Sequence, residues 1–243
     1  MNDAPNDALN LALDKISSTH DRFQEAHFWI HMLERYYHSS DPFRWHLNSF
    51  LRAAKEVPQL LLMELQNEKG FKTWFRNRRE RLEKDPLLSV LGKQRDFIVH
   101  RGMLVPNSHV AIGVTEGRGM KLGMSFPSHP LEDSDHAMDR YLLFIKDNKD
   151  ILGVLTPDDD SMPCVEREWK LPQFENDIVE VCAVAWLRLG ETISEVVRWL
   201  GADVPPLSLD CRHTAQRVRF KLYARDTLIK RQMAIFTPQD NIP

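Results

Sequence analysis

The chain has 243 residues, of which 28% are charged and 42% hydrophobic, an ordinary composition for a soluble globular protein. No apolar run approaches the roughly 18–20 residues that span a bilayer, and the polar, acidic Met1–Asn10 does not resemble a signal peptide, so we expect a cytoplasmic protein without membrane contact. The three cysteines are far apart and form no CxxC pair, which argues against a disulfide framework or a structural zinc site, and no metal or cofactor is expected.

The first hundred residues predict four helices. Asp7–His38 is one long amphipathic helix, and Pro42–Glu68 is a second, which Pro58 must kink or divide. Phe71–Glu83 is a short, strongly basic helix, and Pro86–His100 follows it. In the first helix, apolar residues recur at spacings of three, four or seven, which marks a buried stripe: Ala12, Ile16, Phe23, Ala26, Ile30, Leu33 and Tyr37.

The sequence pattern changes after Gly102, where short apolar runs alternate with turn residues. This pattern is typical of strands and hairpins, and the predicted strands are Val110–Val114, Met120–Phe126, Tyr141–Ile145 and Ile151–Leu155.

A helix returns over Phe174–Leu200, and Ser208–Tyr223 predicts a strand with one basic face. The fold class is therefore mainly α, a helical bundle with a small β-strand insertion. We expect one structural domain overall, in four parts: a helical core (1–102), a β-rich insertion (103–172), a final bundle helix (173–204) and a basic C-terminal strand or tail (205–243).

Charge is unevenly distributed. The segment from Lys69 to Arg101 has ten basic and four acidic residues, whereas Glu132 to Asp160 has nine acidic and three basic ones. Such asymmetry is typical of a polyanion-binding face, and a solvated surface of mixed sign is the alternative.

One stretch combines several chemically informative residues. Arg95 is followed by Asp96, three apolar residues, His100, Arg101 and Gly102. His100 lies in the last helical turn, where the helix dipole favours imidazolium. Asp96 lies one turn earlier on the same face, and Arg95 is suited to binding phosphate oxygens.

This arrangement and the order of helices before it resemble the HEPN superfamily, whose signature is R-x4-6-H. The resemblance implies a HEPN-like bundle, a homodimer with two motifs in one cleft, and metal-independent cleavage of RNA to 2',3'-cyclic phosphate and 5'-hydroxyl ends. His100 would transfer the proton, Asp96 would orient its ring, and Arg95 would stabilise the transition state. By family association the protein would be a toxin or defence component with an antitoxin or other protein partner. Arginines of the basic region would bind the RNA backbone: Arg76, Arg78, Arg79, Arg81 and Arg101.

Two alternatives to the ribonuclease stay open. The first is a non-catalytic HEPN interaction module that binds RNA or a protein. The second is a helical protein that binds a small ligand or nucleotide in the same basic cleft. A stripe of histidines on the first helix suits metal or RNA, although an interface-edge or solvent-facing role is the simpler interpretation: His20, His27, His31 and His38.

Overall fold

A computed structural model describes residues 4–116, 119–147, 162–204 and 213–236. The chain divides into two compact units. The helical unit comprises Met1–Arg35, Arg44–Val105 and Ile178–Thr214, and the sheet unit comprises Tyr36–Phe43, Pro106–Asp177 and Ala215–Pro243. The protein is mainly helical with a small antiparallel sheet, as the sequence predicts.

Most of the helices contribute to the helical unit. Their bounds are α1 Ala4–Asp14, α2 Ser17–Arg35, α3 Ser40–Leu65, α4 Phe71–Lys84, α5 Pro86–His100 and α7 Ile178–Trp199. The first turn of α3 is assigned to the sheet unit. Among the described residues, none of these helices is both long and apolar enough to cross a membrane.

The prediction of one helix over Asp7–His38 is wrong in one respect, because the chain breaks between α1 and α2 near Lys15 and Ile16. The predicted buried stripe is nevertheless confirmed. Its members are all buried: Ala12, Ile16, Phe23, Ala26, Ile30, Leu33 and Tyr37.

Helices α2 and α7 form the centre of the helical unit. The rings of Phe23 and Trp186 stack with centroids 4.7 Å apart, and the Trp186 indole N–H donates to the Phe23 carbonyl at 3.1 Å. Aromatic stacking and a satisfied indole N–H fix one helix against the other. This contact lies one helical turn before His27 and so positions the next turn of α2.

Helix α5 begins and ends where the sequence predicts. The Asp85 carboxylate accepts hydrogen bonds from the backbone N–H groups of Leu87 and Leu88, each at 2.9 Å, which caps the helix. Gly102 follows the last turn with φ of 148°, a conformation that favours glycine. Pro58 lies inside α3 without dividing it.

The described residues of the sheet unit form four antiparallel strands in the order β2-β1-β3-β4. The predicted strands over Val110–Val114 and Met120–Phe126 lie in β1 and β2 and are confirmed. The bounds are β1 Asn107–Glu116, β2 Gly119–Ser128, α6 Ser134–Asp147, β3 Pro163–Lys170, β4 Phe220–Leu222 and α8 Arg225–Phe236.

The strand predicted at Tyr141–Ile145 is wrong, because this segment belongs to α6. Residues spaced three or four apart in α6 are buried in the core that includes β1 and β3, and this is a helical period: Ala137, Met138, Tyr141 and Leu142. The strand predicted at Ile151–Leu155 lies outside the described residues, and of Ser208–Tyr223 the described part forms a strand only over Phe220–Leu222.

Candidate metal centre

The Arg95–His100 segment lies at the end of α5, which stays helical through His100. Residues five apart on an α-helix point about 140° apart, so the two side chains do not converge within one chain. Asp96 pairs with Arg95 at 3.2 Å and with Lys55 at 3.6 Å. His100 is exposed and forms no hydrogen bond with the described residues. The expected bond between Asp96 and His100 is therefore not found.

The basic helix α4 is partly neutralised by acidic neighbours. Arg78 and Arg81 both bind Glu195, at 3.2 and 2.6 Å, and Arg79 binds Glu83 at 2.7 Å. Two further arginines expected to bind RNA are exposed and form no ion pair within the described ranges: Arg76 and Arg101. Ion pairing within the helical unit thus lowers the positive charge that this face offers to a polyanion.

Three imidazoles and one carboxylate converge elsewhere in the helical unit. His27 and His31 lie one turn apart on α2, and His213 lies against them. The Nε2 atoms of His27 and His213 are 3.0 Å apart, and one ring nitrogen from each of the three histidines lies within 4.8 Å of the others. Glu34 Oε2 is 3.1 Å from His213 Nδ1 and 3.6 Å from His31 Nδ1.

Ion pairs and a ring contact connect the three histidines of this cluster, the His27–His31–His213 centre, with Glu34. Glu34 Oε2 lies near Nδ1 of both His213 and His31. A carboxylate on the outer nitrogen of a ligating imidazole fixes its tautomer and raises its basicity. With Nδ1 of His213 beside Glu34, Nε2 of the same ring faces His27 at 3.0 Å.

Protonation of His27 and His31 is disfavoured. Burial, and then the charges of His31 and His213, lower the pKa of His27 to about 4 despite the opposing effect of Glu34. Burial and His213 lower the pKa of His31 as well. Neutral imidazole is the form that binds metal ions. At neutral pH these two rings therefore present metal-binding nitrogens rather than positive charge.

The packing around the cluster holds its rings in place. His27 stacks on Trp186 with ring centroids 4.4 Å apart, and the His213 side chain is only 3% exposed. The His31 side chain is 44% exposed. The His27 ring is thus fixed by aromatic packing and the His213 ring by burial, and His31 is the most exposed of the three.

His27 and His31 stand out in the sequence as part of the histidine stripe, but the sequence alone does not predict this centre. His20 and His38 do not join it, and the third imidazole, His213, lies 186 residues after His27. Local spacing gives no sign of that contact. The informative local signal is the combination of two histidines four apart with Glu34 on the same helix face.

The chain belongs to the bacteriophage lambda protein ea47 family, whose model matches residues 14–152, more than half of the sequence. The matched range contains His27, His31 and Glu34 and ends before His213. No curated protein and no solved structure matches the chain.

The expected HEPN assignment, and with it the HEPN-like bundle, is wrong, because the matching family is the ea47 family and no HEPN family is detected. The physical reason is that R-x4-H is a short pattern. With 20 Arg and 10 His in the chain, such a pair is expected about once by chance, and Arg22 with His27 forms another. Ribonuclease activity, RNA binding, the homodimer and the antitoxin partner stay predictions.

Proposed function

We propose that this protein binds a zinc-class divalent metal ion through His27, His31 and His213, with Glu34 as the carboxylate that orients the ligands. The observation that carries the proposal is the convergence of three imidazoles around one point, backed by one carboxylate. Three histidines are a common ligand set of zinc sites that keep an open position.

The distances between the ring nitrogens agree with zinc binding. Zinc–nitrogen bonds of about 2.0–2.1 Å in a tetrahedron place ligand nitrogens about 3.3 Å apart. The His27–His213 pair is at 3.0 Å, and the wider pairs, up to 4.8 Å, need to close by about 1.5 Å.

The chemistry of the donors favours borderline metal ions. Imidazole suits Zn²⁺, Cu²⁺ and Ni²⁺, whereas Mg²⁺ and Ca²⁺ prefer oxygen ligands. This proposed metal site differs from the prediction from the sequence, which expects no metal. We keep a cytoplasmic location within the proposal, in agreement with the free thiol of Cys164, since disulfides are rare in that compartment.

The test is calorimetric titration of the metal-depleted protein with ZnCl₂. We expect one site in the wild type and loss of that site in His213→Gln. Glu34→Gln should weaken binding by about 10–100-fold, because it changes only an outer partner of the ligands. His20→Gln is the matched control, since His20 lies on the same helix outside the cluster. Equal zinc affinity in the wild type and His213→Gln would refute the proposal.

A cavity in the helical unit favours a second candidate function, the binding of an amphipathic anion. It has a volume of about 510 Å³, within the range of roughly 300–1,000 Å³ typical of small-molecule sites. Its floor is apolar and buried, formed by Leu51, Phe75, Leu91 and Leu189.

The charges that line this cavity sum to one positive charge. Lys55, Arg79 and Lys93 face Glu83 and Asp96, and Lys93 forms no ion pair within the described part of the chain. An apolar floor beneath an excess positive charge suits a ligand with a hydrocarbon body and an anionic group.

Displacement of a fluorescent fatty acid tests this second candidate. Gly92 lines the cavity, and a side chain added there would meet Lys55 Nζ at 3.4 Å, an ordinary contact. Gly92→Leu should therefore fill the cavity and abolish binding while improving helix propensity. Lys93→Ala should weaken binding without abolishing it. Equal binding by wild type and Gly92→Leu would exclude the cavity as the site.

A further inference from the structure

We infer that Lys55 binds the anionic group of the ligand in the cavity of the helical unit, and that Asp96 competes with the ligand for Lys55. The inference rests on the second candidate function, the binding of an amphipathic anion, and it assigns a place to each end of that ligand. The ammonium group of Lys55 receives the anion, and the buried apolar floor receives the hydrocarbon body.

Lys55 belongs to a row of residues on the face of α3 that lines the cavity, and the other members of the row are apolar. Residues three or four apart on a helix share a face. The row has successive spacings of four, three and four residues: Leu51, Lys55, Pro58 and Leu62. On α5, a Cβ placed on Gly92 would lie 3.4 Å from Lys55 Nζ. The ammonium group therefore lies at the cavity wall, beside α5 and among apolar side chains.

The ammonium group of Lys55 has three N–H donors and few acceptors. The carboxylate oxygen paired with it, Asp96 Oδ2, is 3.6 Å away, which is too long for a hydrogen bond. Within the described ranges, Lys55 forms no hydrogen bond. Lys55 is also half-buried, so its ammonium group is less hydrated than one at an open surface. An anion that reaches Nζ therefore gains charge-assisted hydrogen bonds that Asp96 does not make.

Asp96 has a second cationic partner. Its Oδ1 accepts a hydrogen bond from Arg95 Nη1 at 3.2 Å, whereas its Oδ2 forms only the longer ion pair with Lys55. A ligand anion can therefore replace Asp96 at Lys55 while Asp96 keeps its bond to Arg95. The negative charge of Asp96 opposes the arrival of that anion, because like charges repel at this distance. Asp96 thus lowers the affinity for anions and has no such effect on a neutral chain.

Calorimetric titration of the full-length protein with sodium decanoate and with 1-decanol separates the anionic group from the chain. Lys55→Met keeps a long apolar side chain without the charge. It should bind decanoate about 10–100-fold more weakly, through loss of a charge-assisted hydrogen bond, and bind 1-decanol as the wild type does. Asp96→Asn should bind decanoate about two- to fivefold more tightly, because a partly exposed competing ion pair is removed. Lys72→Met is the matched control, since Lys72 is an exposed lysine of α4 that does not line the cavity.

The outcomes separate this inference from the candidate function on which it rests. If the wild-type protein binds neither decanoate nor 1-decanol, the candidate function itself is refuted. If wild type and Lys55→Met bind decanoate equally, the cavity stands as a binding site and the role of Lys55 is refuted. Equal losses of decanoate and 1-decanol binding in Lys55→Met also overturn the inference, because Lys55 would then support the cavity wall. Unchanged or weaker decanoate binding by Asp96→Asn would refute the competition.

Discussion

Acidification should destabilise the sheet unit through His38. Its Nε2–H donates to the Val218 carbonyl and its Nδ1 accepts from the Ser134 hydroxyl, both at 2.8 Å, so the neutral ring satisfies both bonds. Burial is the largest cause that lowers the pKa of His38 from 6.5 to about 4; the charges of Arg167 and Lys221 act in the same direction, and the Val218 carbonyl and Asp135 oppose the shift.

The sign and size of this loss of stability follow from the pKa of His38 in the unfolded chain, 6.5, and in the folded protein, about 4. The unfolded chain takes up its proton as pH falls through about 6.5, whereas folded His38 resists until about pH 4, so stability is lost in this window. At pH 5 the loss is about 2 kcal/mol, and it levels off near 3 kcal/mol below pH 4.

Urea unfolding at pH 7.5 and pH 5 measures this loss in the wild type and in His38→Gln. Gln keeps a donor and an acceptor but does not titrate, so its pH-dependent loss should be smaller by about 2 kcal/mol. His27 titrates in both proteins, and its contribution cancels in the comparison. His100→Gln, an exposed histidine, is the matched control. An identical pH dependence in wild type and His38→Gln would refute the reasoning.

Three further predictions concern the capping of α5, the core of the sheet unit and the RNA hypothesis. Asp85→Ala removes the acceptor for the backbone N–H groups of Leu87 and Leu88 and should lower the free energy of unfolding, measured with urea, by about 1–2 kcal/mol. A decrease smaller than the error of the measurement would contradict this capping role. Trp169→Ala empties a fully buried position and should cost roughly 3–5 kcal/mol, so a loss under about 1 kcal/mol would show that the site is not packed as described. The untested ribonuclease prediction expects labelled RNA incubated in EDTA to gain cyclic-phosphate ends with the wild type and not with His100→Ala; RNA left intact by both proteins would contradict it.

The sequence predicts the helical part of the fold well because its signals are local. The apolar stripe on the first helices and the Asp85–Pro86 start of α5 depend on neighbours within one or two turns. The prediction of a strand over Tyr141–Ile145 is wrong because a short apolar run has no clear period by itself. Its helical period appears only when Ala137 and Met138 are counted with it.

The candidate site was only partly predictable. His27 and His31 stand out at a spacing of four, but the contact that makes them a centre comes from His213, far along the chain. The R-x4-H pattern, by contrast, is local and conspicuous, yet helical geometry separates Arg95 from His100. The short R-x4-H motif therefore gave a wrong family assignment. The proposed metal centre depends instead on the long-range contact of His213 with His27 and His31, which a single sequence does not display.

X-ray absorption at the zinc edge of the stoichiometrically loaded protein tests the metal centre most directly. The account predicts about four nitrogen or oxygen neighbours at 2.0–2.1 Å, with the outer-shell scattering of three imidazole rings. In His213→Gln the imidazole count should fall to two or the metal should be lost. A spectrum dominated by oxygen or sulfur neighbours, or one that His213→Gln leaves unchanged, would contradict the account.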